Sequence, residues 1–129
     1  MRGGRLHNEI IIDALDHAFR EIAASVQREV FVRIGSDTAY ADLFAELKGR
    51  RFVVEAELSA RRVANDLRKG MALDADELWI VVPDRRTAGC IERKLAALAV
   101  RRNQGGLFVL TLGQALQRVR NYLPLIAGS

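Results

Sequence analysis

The chain contains one cysteine, Cys90, and only three lysines, Lys48, Lys69 and Lys94, in 129 residues. One thiol cannot close an internal disulfide, and Cys90 has no CxxC or CxxH company for zinc or redox chemistry. It reads as a small buried hydrophobe in a reducing, cytoplasmic protein. No apolar run approaches the roughly 20 residues of a membrane span, so no membrane partner is expected. The opening Met1-Arg2-Gly3-Gly4-Arg5 lacks the apolar stretch of a secretory signal. There is no GxSxG, no GxGxxG, and no Cys-His pairing with support nearby. Gly105-Gly106 has no Lys-Ser/Thr after it and reads as a turn. His7 and His17 share no helix face and have no third ligand, which removes zinc.

What is present is an arginine-rich α/β pattern. Half of the residues are hydrophobic, enough for one core, and residues 1–129 read as a single domain. The net charge is +4 and the pI about 9.8, which permits a polyanionic partner. Arginine supplies nearly all the positive charge and comes in pairs: Arg50-Arg51, Arg61-Arg62, Arg85-Arg86 and Arg101-Arg102. Guanidinium forks suit phosphate oxygens, and the pairs would form a basic rim if the fold gathered them. A GC-rich genome that favours arginine codons accounts for the same excess without any partner.

Ile11, Ala14, Leu15, Ala18, Phe19, Ile22 and Val26 recur at helical spacing, predicting a helix from Asn8 to about Glu29. Val30–Ile34 is then a short strand closed by Gly35-Ser36-Asp37, and Tyr40–Leu47 and Arg51–Leu58 are two more. Ser59 is placed to cap a helix over Ala60–Lys69 that stops at Gly70. Glu77–Val82 is almost wholly apolar, as in a central parallel strand covered on both faces. A helix from Arg86 to about Arg101, a strand Leu107–Leu110 and a helix from Leu112 to about Tyr122 complete the chain. The order α-β-β-β-α-β-α-β-α predicts a mixed sheet with helices on both faces.

The chemistry concentrates in the hairpin. Glu55 and Glu57 alternate with apolar residues, so they point to one face. A two-residue Lys48-Gly49 loop sets Asp42 opposite Glu55; a longer loop, Lys48 to Arg51, sets it opposite Glu57. Either register puts three carboxylates on one patch, where like charges repel unless a cation compensates them. Rigid oxygen ligands of this kind suit Mg²⁺ or Mn²⁺. The alternative is a solvated sheet face, paired with Arg50, Arg61 or Arg62, with Ala56 and Leu58 on the buried side. Tyr40 shares the face of Asp42 two residues on, as a stacking surface for a base or as ordinary packing. Trp79 belongs in the core.

An αβββαβ core with Asp42 on its second strand and Glu55-Ala56-Glu57 on its third resembles the PD-(D/E)xK nuclease superfamily. This is the restriction-endonuclease-like fold, which includes the archaeal Holliday-junction resolvases. The resemblance spans about Asn8 to Val82, with the last helix–strand–helix as an extension. It implies a metal-dependent DNA endonuclease in which Asp42 and Glu55 ligate the ion beside the Ala56 carbonyl. Glu57 stands where the superfamily usually has lysine, and would serve as third ligand or general base. Lys69, or less suitably Lys48 in the turn, would replace the missing lysine. Glu9 or Asp13 on the first helix would add an acid, unless both simply sit favourably on the helix dipole. Arg50, Arg51, Arg61, Arg62 and Lys48 would contact DNA backbone, although Arg61 and Arg62 also suit pairing with neighbours such as Asp66. The resemblance further implies a homodimer, for which Leu116, Val119, Leu123 and Ile126 offer an apolar stripe that can equally pack on the chain's own sheet. A nuclease fold that has lost catalysis and binds DNA, or serves in an assembly, is the rival expectation.

Overall fold

The computed structural model describes residues 3–98 and 106–122. Its elements are α1 (Gly3–Glu21), β1 (Ser25–Ile34), β2 (Asp37–Leu47), β3 (Arg50–Ala56), α2 (Val63–Ala72), β4 (Glu77–Val82), α3 (Arg85–Ala97), β5 (Leu107–Thr111) and α4 (Leu112–Arg120). The five strands form one mixed sheet in sequence order. β1, β2 and β3 pair antiparallel, while β3, β4 and β5 run parallel. This is an α/β fold with helices on both faces.

Each face has its own core. Leu15 and Phe19 of α1 and Ala115 and Val119 of α4 meet Phe52, Val54 and Trp79 on one side. On the other, Val63 of α2 and Ile91 and Leu95 of α3 meet Val53, Ile80 and Val82. Every residue of β4 is buried, because a central strand has no solvent face. Full burial of one large apolar side chain contributes about 1.5–3 kcal/mol, so these two layers hold the sheet rigid beneath whatever it carries.

Several boundaries differ from expectation. α1 stops at Glu21 and β1 begins at Ser25, so Val26 is a strand residue. The Ala24 N–H bonds to the Phe19 carbonyl and the Ala23 N–H to that of Arg20, with Ala23 at φ +66°. That is a Schellman end with alanine where glycine is usual, so the stop carries no sequence signal. Ile22, Ala24 and Val26 are buried in alternation, and pairing with β2 outweighs the helical repeat.

Ser59 is not a helix cap. Its hydroxyl accepts from the Arg61 N–H within a turn, and α2 starts later, at Val63. The helix also runs through Gly70, where a Cβ would come within 3.2 Å of the Leu78 side chain. Glycine there permits close helix–sheet contact and does not end the helix. Cys90 is exposed, contrary to a buried role, because it falls on the solvent side of α3. Among the described residues no helix is long and apolar enough to cross a membrane. Arg101, Arg102, Gly105, Leu123 and Ile126 lie outside the described residues. Leu116 packs against the α1-side core and Val119 is buried within it, so this part of the apolar stripe is spent internally.

Candidate metal centre

The β2–β3 ladder settles the register. Leu47 pairs with Arg50 and Leu43 with Val54 across a Lys48-Gly49 loop, which brings Asp42 opposite Glu55. Beyond Leu43 the strands are joined through side chains. The Asp42 N–H donates to Glu55 Oε2 at 2.9 Å, and the Ala56 N–H donates to Asp42 Oδ2 at 2.9 Å. Lys48 at φ +50° and Gly49 at φ +83° supply the left-handed backbone that a two-residue hairpin needs.

Glu55 and Glu57 are buried, 1% and 8% exposed, so the solvated-face alternative does not hold. The side of β3 that carries them lies beneath α2. From that helix Asp66, 0% exposed, turns inward, and oxygens of Glu55, Glu57 and Asp66 lie within 4.8 Å of one another. One cation about 2.0–2.6 Å from each ligand oxygen spans such a set.

The protein's own donors do not satisfy these groups. Lys69 Nζ donates to Glu55 Oε1 at 2.8 Å, but stands 3.9 Å from Asp66 Oδ1. Both carboxylate oxygens of Asp66 are without a hydrogen-bond donor, as is Asn8 Oδ1 on the wall of the adjoining cleft. An unpaired buried carboxylate costs several kcal/mol, and without an added cation it takes up a proton instead. Burial first, then the facing Glu57 carboxyl and the charge of Glu55, push the Asp66 carboxyl up to about 11. Burial and the neighbouring Asp42 charge raise Glu55 to about 7, against the pull of Lys69. Asp42 is also raised, chiefly by burial, although the Ala56 N–H and Lys69 oppose it and Glu29 adds to it. Burial lowers the Lys69 ammonium, but Glu55, then Asp66 and Asp42, outweigh it and leave the group raised.

The cluster adjoins an open cleft of about 520 Å³. α1 contributes Asn8, Glu9 and Ile12, and β1 contributes Arg28 and Glu29. Asp42, Glu57, Leu58, Ser59, Arg61 and Arg62 complete the wall. Of the residues singled out from sequence, Asp42, Glu55, Glu57 and Lys69 converge, and Glu9, Arg61 and Arg62 line the cleft. Asp13 does not: it pairs with Arg28 on the outer surface of α1.

Asp66 is the residue the sequence reading misplaced. It is not a surface partner for Arg61 or Arg62 but a buried member of the cluster. Val63, Asp66 and Gly70 form a stripe at helical spacing along α2, all three buried, and that periodicity is the signal that would have found it.

The basic rim is split. Arg50, Arg51 and Lys48 sit at the hairpin turn, about 20 Å of strand away from Glu55–Glu57. Arg50 Nε is committed to Glu77 at 2.8 Å, and Arg51 reaches Asp74 at 3.2 Å while its N–H bonds to Asp76. Arg50 and Arg51 are thus held by acids at the opposite end of the sheet. Arg61-Arg62 and Arg85-Arg86 stand nearer the cluster, because both follow the carboxyl ends of the parallel strands β3 and β4.

No family model matches the chain, and no curated protein does. Among solved structures, the crystal structure of AF1548, a protein of unknown function, superposes with a TM-score of 0.55. The match has 10% identity and covers 86% of this chain. The chain spans 66% of the length of that protein. At this identity the likeness is one of fold.

Proposed function

We propose that the chain is a metal-dependent DNA endonuclease of the restriction-endonuclease-like superfamily, hydrolysing phosphodiester bonds with Mg²⁺ or Mn²⁺. The observation that carries this reading is Asp66: a fully buried carboxylate with no donor, facing Glu55 and Glu57 beside an open cleft. A hard divalent cation is the partner such a donor set calls for. The αβββαβ element order and the Asp42–Glu55 pairing agree with the superfamily pattern.

Glu55, Glu57 and Asp66 would hold the ion, with Asp42 beside them. When bound, it would activate water and stabilise charge on the scissile phosphate. Asp42, anchored by the Ala56 N–H, fixes the end of β3 so that Glu55 and Glu57 keep their spacing. Lys69 orients Glu55 and holds a positive charge at the site, in the role of the lysine that residue 57 lacks. Arg61 and Arg62 on the cleft wall are the guanidinium groups placed for a phosphate backbone. A molecule of this size would need a second copy to cut both strands of a duplex. The exposed Cys90 thiol suits a reducing compartment such as the cytoplasm.

The test is cleavage of labelled linear, flapped and four-way-junction DNA with Mg²⁺, Mn²⁺ or EDTA. Wild type should cut only with metal. Asp42→Asn, Glu55→Gln and Asp66→Asn should each lose at least about a hundred-fold, as removal of one transition-state contact does. Binding without cutting in any metal would rule the enzyme out in favour of an inactive DNA-binding module. The glutamate at position 57 favours that second reading.

A further inference from the structure

Six of the eight aromatic side chains pack into the two cores; Phe31 and Tyr40 do not. They are 53% and 59% exposed, and they face each other across the β1–β2 ladder. Their ring centroids are 5.8 Å apart at 73°. On β2, exposed Thr38 and Tyr40 alternate with the better-covered Ala39 and Ala41, so the two share one side, and Asp42 follows on the same strand at the cleft wall. Arg33 pairs with Thr38 across the same ladder. The solvent side of this ribbon therefore presents an aromatic pair, then a guanidinium with a hydroxyl, and in the other direction the strand leads to Asp42 on the cleft wall. Successive stations are separated by about 7 Å, two residues of strand.

That sequence of chemistries matches one strand of nucleic acid. Bases stack on aromatic rings irrespective of sequence, and phosphates pair with guanidinium groups. In a duplex the base faces are covered by their neighbours, so only an unpaired base can use the rings. We propose that Phe31 and Tyr40 form a stacking platform for an unpaired base, with Arg33 holding the adjoining phosphate. The substrate then carries single-stranded DNA at the cleft, as a flap, a frayed end or an open junction. This rests on the nucleic-acid reading above and narrows it.

The test is fluorescence anisotropy in EDTA, where no cutting occurs, at one fixed salt concentration. Labelled oligothymidylate and a duplex of equal length are titrated with wild type, Tyr40→Leu, Tyr40→Phe and Phe31→Leu. Wild type should bind the single strand more tightly than the duplex. Tyr40→Leu and Phe31→Leu should each weaken single-strand binding roughly ten-fold and leave the duplex unchanged, while Tyr40→Phe retains wild-type affinity. Both rings are more than half exposed, so these variants keep both cores, and melting curves verify that. Single-strand affinity unchanged in both leucine variants, or lost in step with duplex affinity, overturns the platform. Cleavage assays on the same preparations read the nuclease separately. Metal-dependent cutting with no effect at Tyr40 sinks the platform alone, whereas a Tyr40 effect without cutting sinks the nuclease alone.

Discussion

Two buried carboxylate stations stand at opposite ends of the sheet, and they are built on opposite rules. Glu77, at the first residue of β4, is 0% exposed and accepts from four donors. Trp79 Nε1 and Arg50 Nε each reach it at 2.8 Å, Arg118 Nε at 2.9 Å, and the Tyr122 hydroxyl adds a fourth bond. Burial alone would raise its pKa, but the donors from Tyr122, Arg118, Trp79 and Arg50 together hold it below the usual carboxylate range. At the other end, Glu55 and Asp66 share one ammonium and are raised. Burying an acid is therefore not by itself a sign of function. The informative feature is whether the fold supplies the donors. Where it does, the acid ties elements together; where it does not, something from outside is expected.

The largest effect that would break this contrast is on stability. Glu77→Ala strands Arg50 and Arg118 without their carboxylate and should cost about 3–5 kcal/mol, read from urea unfolding in EDTA. Asp66→Asn should move the other way, stabilising by about 0.5–2 kcal/mol, because it removes a group held against its charge preference. A loss of several kcal/mol at Asp66 would make it a structural residue like Glu77.

The pH response should be opposite in sign at the two stations. A raised acid binds its proton more tightly in the folded state, so folding is favoured as pH falls from about 7 towards the unfolded value near 4.5 for Glu55. In EDTA, stability should therefore be greater at pH 5.5 than at pH 8. Glu77, depressed, contributes stability above about pH 4.5 that is lost as pH falls through its folded value. Glu77→Gln should flatten that acid limb, and Glu55→Gln should make the neutral one shallower, leaving the part due to Asp66, both visible in melting temperature against pH. The smallest effect expected is at Ala23, where φ is +66°. Ala23→Gly should stabilise by about 0.5–1 kcal/mol, in keeping with a strain unrelated to either station.

Local chemistry was legible in the sequence where one segment decides the outcome. The apolar run Glu77–Val82 could only be a doubly covered strand, and the alternation of Glu55 and Glu57 fixed their common face. Lys48-Gly49 left two registers open, which pairing with β2 closed. What the sequence hid depends on distant partners or on missing punctuation. α1 ends at an alanine in a glycine conformation, so the helical repeat ran on into β1. Glu77 meets donors 41 and 45 residues away, and no spacing announces that. Asp66 reads as an ordinary helix-surface acid until the buried stripe with Val63 and Gly70 is seen. The arginine pairs look equivalent in sequence, yet the topology sends Arg50-Arg51 to the structural end and Arg61-Arg62 to the cleft.

The most direct measurement is a calorimetric titration of Mn²⁺ into the metal-free protein at pH 6 and pH 8, beside Asp66→Asn and Asp13→Asn. Ligand carboxylates must shed their protons to bind, so affinity should rise with pH, with heat that varies with buffer ionisation. One site should be lost in Asp66→Asn and kept in Asp13→Asn, whose carboxylate lies outside the cluster. No binding by wild type at either pH, or binding undiminished in Asp66→Asn, would contradict the claim that this unsatisfied cluster is a metal centre.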